Sequence, residues 1–256
     1  MDLTRRDFLM TAVKGAVIAT LPLSAFRFLS PSEAAAAIKE ANTRWGFLVD
    51  TQKCVGCGFC VKACKNENEV PYDTPLTRTW VERYVVLKDG KVLIDTPMGG
   101  RDGFTEQTVD GREVDPKDIG KAFFVPKLCN QCENPPCVQV CPVGATYQTP
   151  DGVVLVDRKW CIGCAYCIMA CPYGVRFFHP VYKVAEKCNF CYHRISKGMR
   201  TACVEACPFG ARQICDLKDP NDPVTKTILT KRVGVLKSEY GTKPQVYYIG
   251  LDENVR

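Results

Sequence analysis

Sixteen of the seventeen cysteines in this 256-residue chain fall into four groups of four, a thiol density that points to metal or redox chemistry. The groups read Cys54-x2-Cys57-x2-Cys60-x3-Cys64, Cys129-x2-Cys132-x4-Cys137-x3-Cys141, Cys161-x2-Cys164-x2-Cys167-x3-Cys171 and Cys188-x2-Cys191-x11-Cys203-x3-Cys207. Each closes on C-x3-C, and Pro142, Pro172 and Pro208 follow the last three, so the chain carries an internal repeat. Zinc is usually held by two separated C-x2-C knuckles, which leaves the third cysteine of a group surplus. Disulfides fit poorly as well, because a whole framework of C-x2-C-x2-C triplets puts partners too close for relaxed bridges and the total is odd. A [4Fe–4S] cubane suits the spacing: a C-x2-C-x2-C loop wraps three iron corners and aims backbone N–H groups at the sulfides. The fourth cysteine lies one helical turn past the third, faces away from that cluster and ligates the other cluster of a pair. Proline then ends the turn and marks the exit toward a strand. Four tetrads predict four clusters in two cross-ligated pairs.

Those clusters dictate the architecture: an α+β chain of two ferredoxin-like double-[4Fe–4S] modules, with a hairpin insertion and extended loops. The middle tetrads are contiguous and make the second module, residues 126–180, where "ATYQTPDGVVLVDRKW" reads as strand, PDG turn, strand. The first and last tetrads are 123 residues apart, yet each needs a partner, so residues 44–76 and 181–215 should close on each other as the first module. Residues 77–125 read as a hairpin and loop inserted between the modules, and residues 216–256 as a C-terminal extension.

The formal charge of +6 comes from dispersed lysines and arginines with no basic stripe, which argues against nucleic acid. Sixteen thiolates on four clusters with 2+ cores would turn that sum to about −2. The basic excess then reads as compensation, with Lys53, Lys62, Lys65, Lys127, Lys159 and Lys187 each within a few residues of a cysteine. Residues 1–37 hold Arg5-Arg6, a moderately apolar stretch and the small-residue run Ala34–Ala37, the pattern of a twin-arginine export signal. Lys14, Pro22 and Arg27 interrupt the apolar stretch and count against a membrane span, although a retained N-terminal anchor is the alternative. A periplasmic location follows, peripheral to the membrane through partners.

At "CVGCGFCVKAC", "LCNQCENPPCVQVCPVGATYQ", "CIGCAYCIMACPYGVRF", "KCNFCYHRISKGMRTACVEACPFGAR" and "KPQVYYIGLD" the chain resembles the four-cluster iron–sulfur subunits of molybdopterin oxidoreductase complexes. That group includes the electron-transfer subunits of dimethyl sulfoxide, polysulfide and tetrathionate reductases, and the tetrathionate type is the most similar. The resemblance covers about residues 44–252. It implies ligand sets of Cys54, Cys57, Cys60 and Cys207 for cluster one, and Cys188, Cys191, Cys203 and Cys64 for cluster two. Cluster three takes Cys129, Cys132, Cys137 and Cys171, and cluster four takes Cys161, Cys164, Cys167 and Cys141. Some relatives carry tryptophan in the third tetrad and hold a three-iron cluster there; Cys164 implies four irons here. Thr201 stands where relatives often have proline, a departure that leaves the ligands in place. The implied partners are a molybdopterin-type large subunit, an integral membrane quinone-reactive subunit and, further along, a cytochrome. The first and last tetrads would face the large subunit and the middle pair the membrane.

The only histidines, His179 and His193, read as surface or packing residues, Cys215 as a buried strand thiol, and Trp45, Trp80 and Trp160 as core aromatics near the clusters. No nucleotide fingerprint or independent catalytic constellation appears, so the chain reads as a non-catalytic electron-transfer subunit. Two rivals are a free polyferredoxin-like carrier, for which the insertion and C-terminal extension are excessive, and a self-contained reductase, which needs an open metal site or a second cofactor.

Overall fold

The computed structural model describes residues 42–104 and 108–255, so the twin-arginine segment lies outside the described residues. Strand β1, Trp45–Asp50, is buried along nearly its whole length, as expected of a central strand covered on both faces. It pairs antiparallel with β11, Arg212–Asp216, in the register Trp45↔Asp216 to Val49↔Arg212. On its other side it pairs parallel with β13, Val246–Ile249, which is flanked by β12, Val233–Gly234. The segment expected to be a C-terminal extension therefore completes the sheet of the first module, because the apolar run "QVYYIG" supplies the strand that covers β1. Between β11 and β12, helix α6, Pro223–Thr230, starts under an Asp222 cap that accepts the Val224 and Thr225 N–H groups at 2.8 and 3.2 Å. It buries Ile228 against Cys215.

The insertion is a three-stranded antiparallel sheet, not a hairpin followed by loop. Strand β2, Thr79–Leu87, pairs with β3, Val92–Asp95, across a turn where Gly90 takes φ 86°. It also pairs with β6, Ile119–Leu128, over Thr79↔Leu128 to Leu87↔Ile119. The stretch "KAFFVPKL" forms most of this third strand, which delivers the chain directly into Cys129. Two-residue strands β4, Thr108–Val109, and β5, Arg112–Glu113, fill the connection. The insertion comes close to the first cysteine loop at Gly58: a Cβ there would stand 2.2 Å from the Arg101 carbonyl oxygen, and its φ is 76°.

In the second module β7, Thr146–Gln148, and β8, Val154–Val156, form the expected hairpin. The pair β9, Phe177–Phe178, and β10, Ala185–Glu186, crosses the boundary drawn at residue 180 and ties the modules together. One buried cluster joins both sheets to the cysteine loops, including Phe47, Val61, Tyr84, Val125, Phe190 and Tyr248. Each such side chain contributes about 1.5–3 kcal/mol by leaving water.

Candidate metal centres

All four C-x2-C loops share one backbone device. The residue before the second cysteine takes a left-handed conformation in each: Gly56 (φ 71°), Gln131 (φ 45°), Gly163 (φ 72°) and Phe190 (φ 52°). For Gln131 and Phe190 that conformation is costly, and strain of this kind gathers at functional sites. Each C-x3-C pair sits on or just past one helical turn. Cys60 and Cys64 lie in α1, Phe59–Glu67; Cys137 in α2, Pro136–Gln139; Cys167 in α3, Tyr166–Met169; and Cys203 in α5, Ala202–Glu205. The short α4, Tyr192–Ile195, follows Cys191.

These turns bring cysteines from different tetrads together. Cys54, Cys57, Cys60 and Cys207 line one cavity. Cys64, Cys188, Cys191 and Cys203 line a second. Cys129, Cys132, Cys137 and Cys171 line a third. In each, the single outlier is the last cysteine of another tetrad. The remaining four lie nearer the surface, where α2 and α3 pack together: Cys167 is buried, Cys141 and Cys161 half-buried and Cys164 exposed. Side-chain proximity links the groups in a row. Cys60 interacts with Cys203, Cys188 with Cys129, and Cys137 shares an apolar cluster with Cys167 and Cys161.

The donor chemistry fits iron–sulfur clusters. All seventeen cysteines are free thiols, and among the described residues no three His, Cys, Asp or Glu side chains converge closely enough to hold a single ion. Four thiols around a volume suit four separate irons, whereas zinc needs four ligands about one point. Without metal, burial pushes the Cys60 thiol up to about 11 and those of Cys132 and Cys188 up to about 12. Burial also acts on Cys141, but N–H groups of Thr146, Val143 and Ala145 outweigh it and lower that thiol; the Thr146 N–H donates to its Sγ at 3.3 Å. Asn68 Nδ2 approaches Cys64 Sγ at 3.6 Å and Cys191 Sγ at 3.8 Å. Thr201 Oγ1 stands 3.4 Å from Cys203 Sγ, so the departure from proline does reach a cysteine that lines a cavity.

The cations at the cavities are mostly not those expected from sequence proximity. Lys127 pairs with Glu82 at 2.7 Å, Lys62 with Asp102 and Lys53 with Asp50, while Lys65 donates to the Pro71 and Thr74 carbonyls at 2.9 and 2.7 Å. Of the six, Lys187 is the one buried among several sulfurs: it interacts with Cys129, Cys137 and Cys188, and donates to the carbonyls of Val154 and Cys188, while buried Lys65 meets Cys64 only. The side chains that line the cavities are Arg212, Arg78 and Arg176. A sequence signal for two of them existed in the repeat, since both tetrads that end C-P-aromatic-Gly continue to arginine.

His179 is buried, its Nδ1 accepting the Val181 and Tyr182 N–H groups at 3.2 Å, and His193 is exposed beside Glu67 at 2.6 Å. Cys215 is a buried thiol of β11. Trp45 and Trp80 pack against the core, but Trp160 is 67% exposed and is not a core aromatic. An open groove on the insertion, between Glu82, Asp95, Thr96 and Phe104, contains no cysteine.

Two models of the 4Fe-4S dicluster domain match the protein, one over residues 53–145 and one over residues 120–217. The B subunit of tetrathionate reductase from Salmonella typhimurium is 38% identical across 99% of this chain and 90% of that protein. This chain therefore belongs to that family of iron–sulfur subunits. It is also 42% identical to the B subunit of tetrathionate reductase from Archaeoglobus fulgidus, over 83% of this chain and 84% of that protein. The B component of polysulfide reductase from Wolinella succinogenes is 34% identical over 80% of this chain and 94% of its own length. Sixteen cavity and loop cysteines, with two dicluster domains, make the protein an electron-transfer subunit with four [4Fe–4S] clusters.

Proposed function

We propose that the subunit relays electrons one at a time between a molybdopterin-type catalytic subunit and a quinone-reactive membrane subunit of an exported complex. The row of thiol-lined groups carries this reading. Each cluster takes the first three cysteines of one tetrad and the last cysteine of its partner, so Cys207, Cys64, Cys171 and Cys141 are the crossing ligands. The protein's part is to hold each cluster, keep water from the inner ones and adjust potentials through burial, charge and hydrogen bonds to sulfur. Exposed apolar residues flank both ends of the row, which favours docked partners over a diffusing carrier. Val55, Phe59 and Phe209 surround the group that includes Cys54 and Cys207, and Trp160, Ile162, Tyr166 and Met169 surround the outer cysteines of the other end. The first end is assigned to the catalytic subunit and the second to the membrane subunit. Relatives named as components of tetrathionate and polysulfide reductases support the catalytic partner.

Anaerobic affinity purification of the full chain from native membranes tests the reading. A molybdenum-containing subunit should accompany it, and a quinol should reduce its clusters in the solubilised complex. Recovery of a fully loaded chain without partners supports the free carrier instead. For the address, Arg5→Lys with Arg6→Lys should strand the loaded protein in the cytoplasm, and normal periplasmic accumulation would remove the export assignment.

A further inference from the structure

Arg176 and Arg212 occupy the same place in the repeat, five residues past the last cysteine of their tetrads, in "CPYGVR" and "CPFGAR". Both are buried, at 5% and 1% exposure, and each lines the cavity that its own preceding cysteine enters, Cys171 for Arg176 and Cys207 for Arg212. Neither is satisfied. All three guanidinium nitrogens of Arg212, and Nε and Nη2 of Arg176, lack an oxygen or nitrogen partner, and Arg176 Nη1 has a 3.4 Å contact with Thr146 Oγ1, with the Cys137 thiol also beside the guanidinium. A buried, unpaired guanidinium costs several kcal/mol, so an anion must face it in the working protein. The charges these arginines meet are sulfurs: Cys60, Cys203 and Cys54 around Arg212, and Cys137, Cys167 and Cys129 around Arg176.

The other two groups differ. At the cavity of Cys64, Cys188, Cys191 and Cys203 the arginine is Arg78, which has a carboxylate partner that Arg176 and Arg212 lack: it pairs with buried Glu186 at 2.7 Å, a carboxylate that Arg158 shares at 2.6 Å, and donates to Asn68 Oδ1 at 2.8 Å. In the tetrad that ends at Cys141, the position five residues on is the uncharged Thr146. One-electron reduction adds one negative charge to a cluster and its thiolates, with no bond made or broken, and a fixed cation in a poorly solvated site favours that added charge. We propose that Arg212 and Arg176 are charge-compensating residues that hold the reduction potentials of the two clusters beside them above those of the other two. This rests on the cluster assignment given above. Lys187 adds a second cation beside Cys129 and Cys137, so removal of Arg176 should have the smaller effect.

The test is a potentiometric titration of the anaerobically purified full chain, read by electron paramagnetic resonance, on R212Q, R212K, R176Q and R176K. R212Q should lower one cluster's potential by at least a tenfold change in its reduction equilibrium, about 59 mV for one electron. R176Q should lower a different cluster's potential by less, and both lysine variants should stay near the parent. If a glutamine variant loses iron while its lysine counterpart keeps it, the positive charge is required at that cluster and the proposal also stands. Full iron content with unmoved potentials overturns it and leaves the cluster assignment intact. Equal iron loss from all four variants overturns it too, by making the arginines packing groups. A wild-type chain without iron–sulfur clusters would instead overturn the assignment on which the proposal rests.

Discussion

The two modules carry the same tetrads and bury them differently. In the first, Cys60, Cys64, Cys188, Cys191 and Cys203 are buried beneath the four-stranded sheet, the nine-residue α1 and the inserted sheet, and Cys54, Cys57 and Cys207 are half-buried, with none exposed. In the second, Cys129, Cys132, Cys137 and Cys167 are buried and Cys141, Cys161 and Cys171 half-buried, but a three-residue-per-strand hairpin and single helical turns leave Cys164 exposed. The difference follows from connectivity. A module built from distant segments must be closed by long-range pairing, and that pairing supplies core; a contiguous module can be held largely by its clusters. The price is a thin wall around the outermost thiols, where a neighbouring protein can come close enough to exchange electrons.

Ligand removal should separate the modules most strongly. Cys203→Ser takes a ligand from the closed interior and should cost a whole cluster, about four irons per chain, together with soluble yield. Cys164→Ser should cost about one iron and leave a folded chain with a three-iron signal. Iron analysis and anaerobic gel filtration compare the two, and equal losses would erase the contrast. Packing should follow the same order. Phe190, stacked on Phe47 at 5.5 Å, should cost about 3–5 kcal/mol as Phe190→Ala in anaerobic thermal unfolding. Exposed Trp160 should stay within about 0.5 kcal/mol of the parent as Trp160→Ala.

Controlled oxidation should reach the outer cluster of the second module before the two interior ones, seen as stepwise bleaching and a first signal that Cys164→Ser abolishes. Simultaneous bleaching would mean that burial does not rank the clusters. A smaller effect belongs to the first module's surface, where Glu67 on α1 meets His193 at 2.6 Å and Arg194 at 2.8 Å on α4. The His193 hydrogen bond, then Arg194, holds the Glu67 carboxyl below its ordinary 4.5. A lowered carboxyl stabilises the fold above its unfolded value and loses that contribution as pH falls through the folded one. Glu67→Gln should therefore cost under about 1 kcal/mol at pH 7 and less below pH about 4, measured by thermal unfolding across that range.

Much of this was legible in the sequence because cysteine spacing is local. C-x3-C dictates a helical turn whatever surrounds it, and "TPDGVVLV" folds as the hairpin its residues specify. What was not legible is long-range. "QVYYIG" looks like a tail until β1 is seen to need a covering strand, and "KAFFVPKL" looks like loop until β2 offers an edge. Most lysines close to cysteines in sequence, Lys187 excepted, find carboxylate or carbonyl partners instead, since a strand or turn of two or three residues reverses a side chain. The arginines that do line the cavities lie just past the tetrads, at an offset that gains meaning only when the C-P-x-G exit folds back.

Cross-ligation itself is tested most directly at Cys171. Its cavity is shared with Cys129, Cys132 and Cys137, while its own tetrad holds Cys161, Cys164 and Cys167. Redox titrations followed by electron paramagnetic resonance on Cys171→Ser, Cys129→Ser, Cys141→Ser and Cys161→Ser should sort the variants into two pairs. Cys171→Ser should alter the same centre as Cys129→Ser, and Cys141→Ser the same centre as Cys161→Ser. A Cys171→Ser signature that matches Cys161→Ser and differs from Cys129→Ser would contradict crossed ligands and, with them, the two-module arrangement.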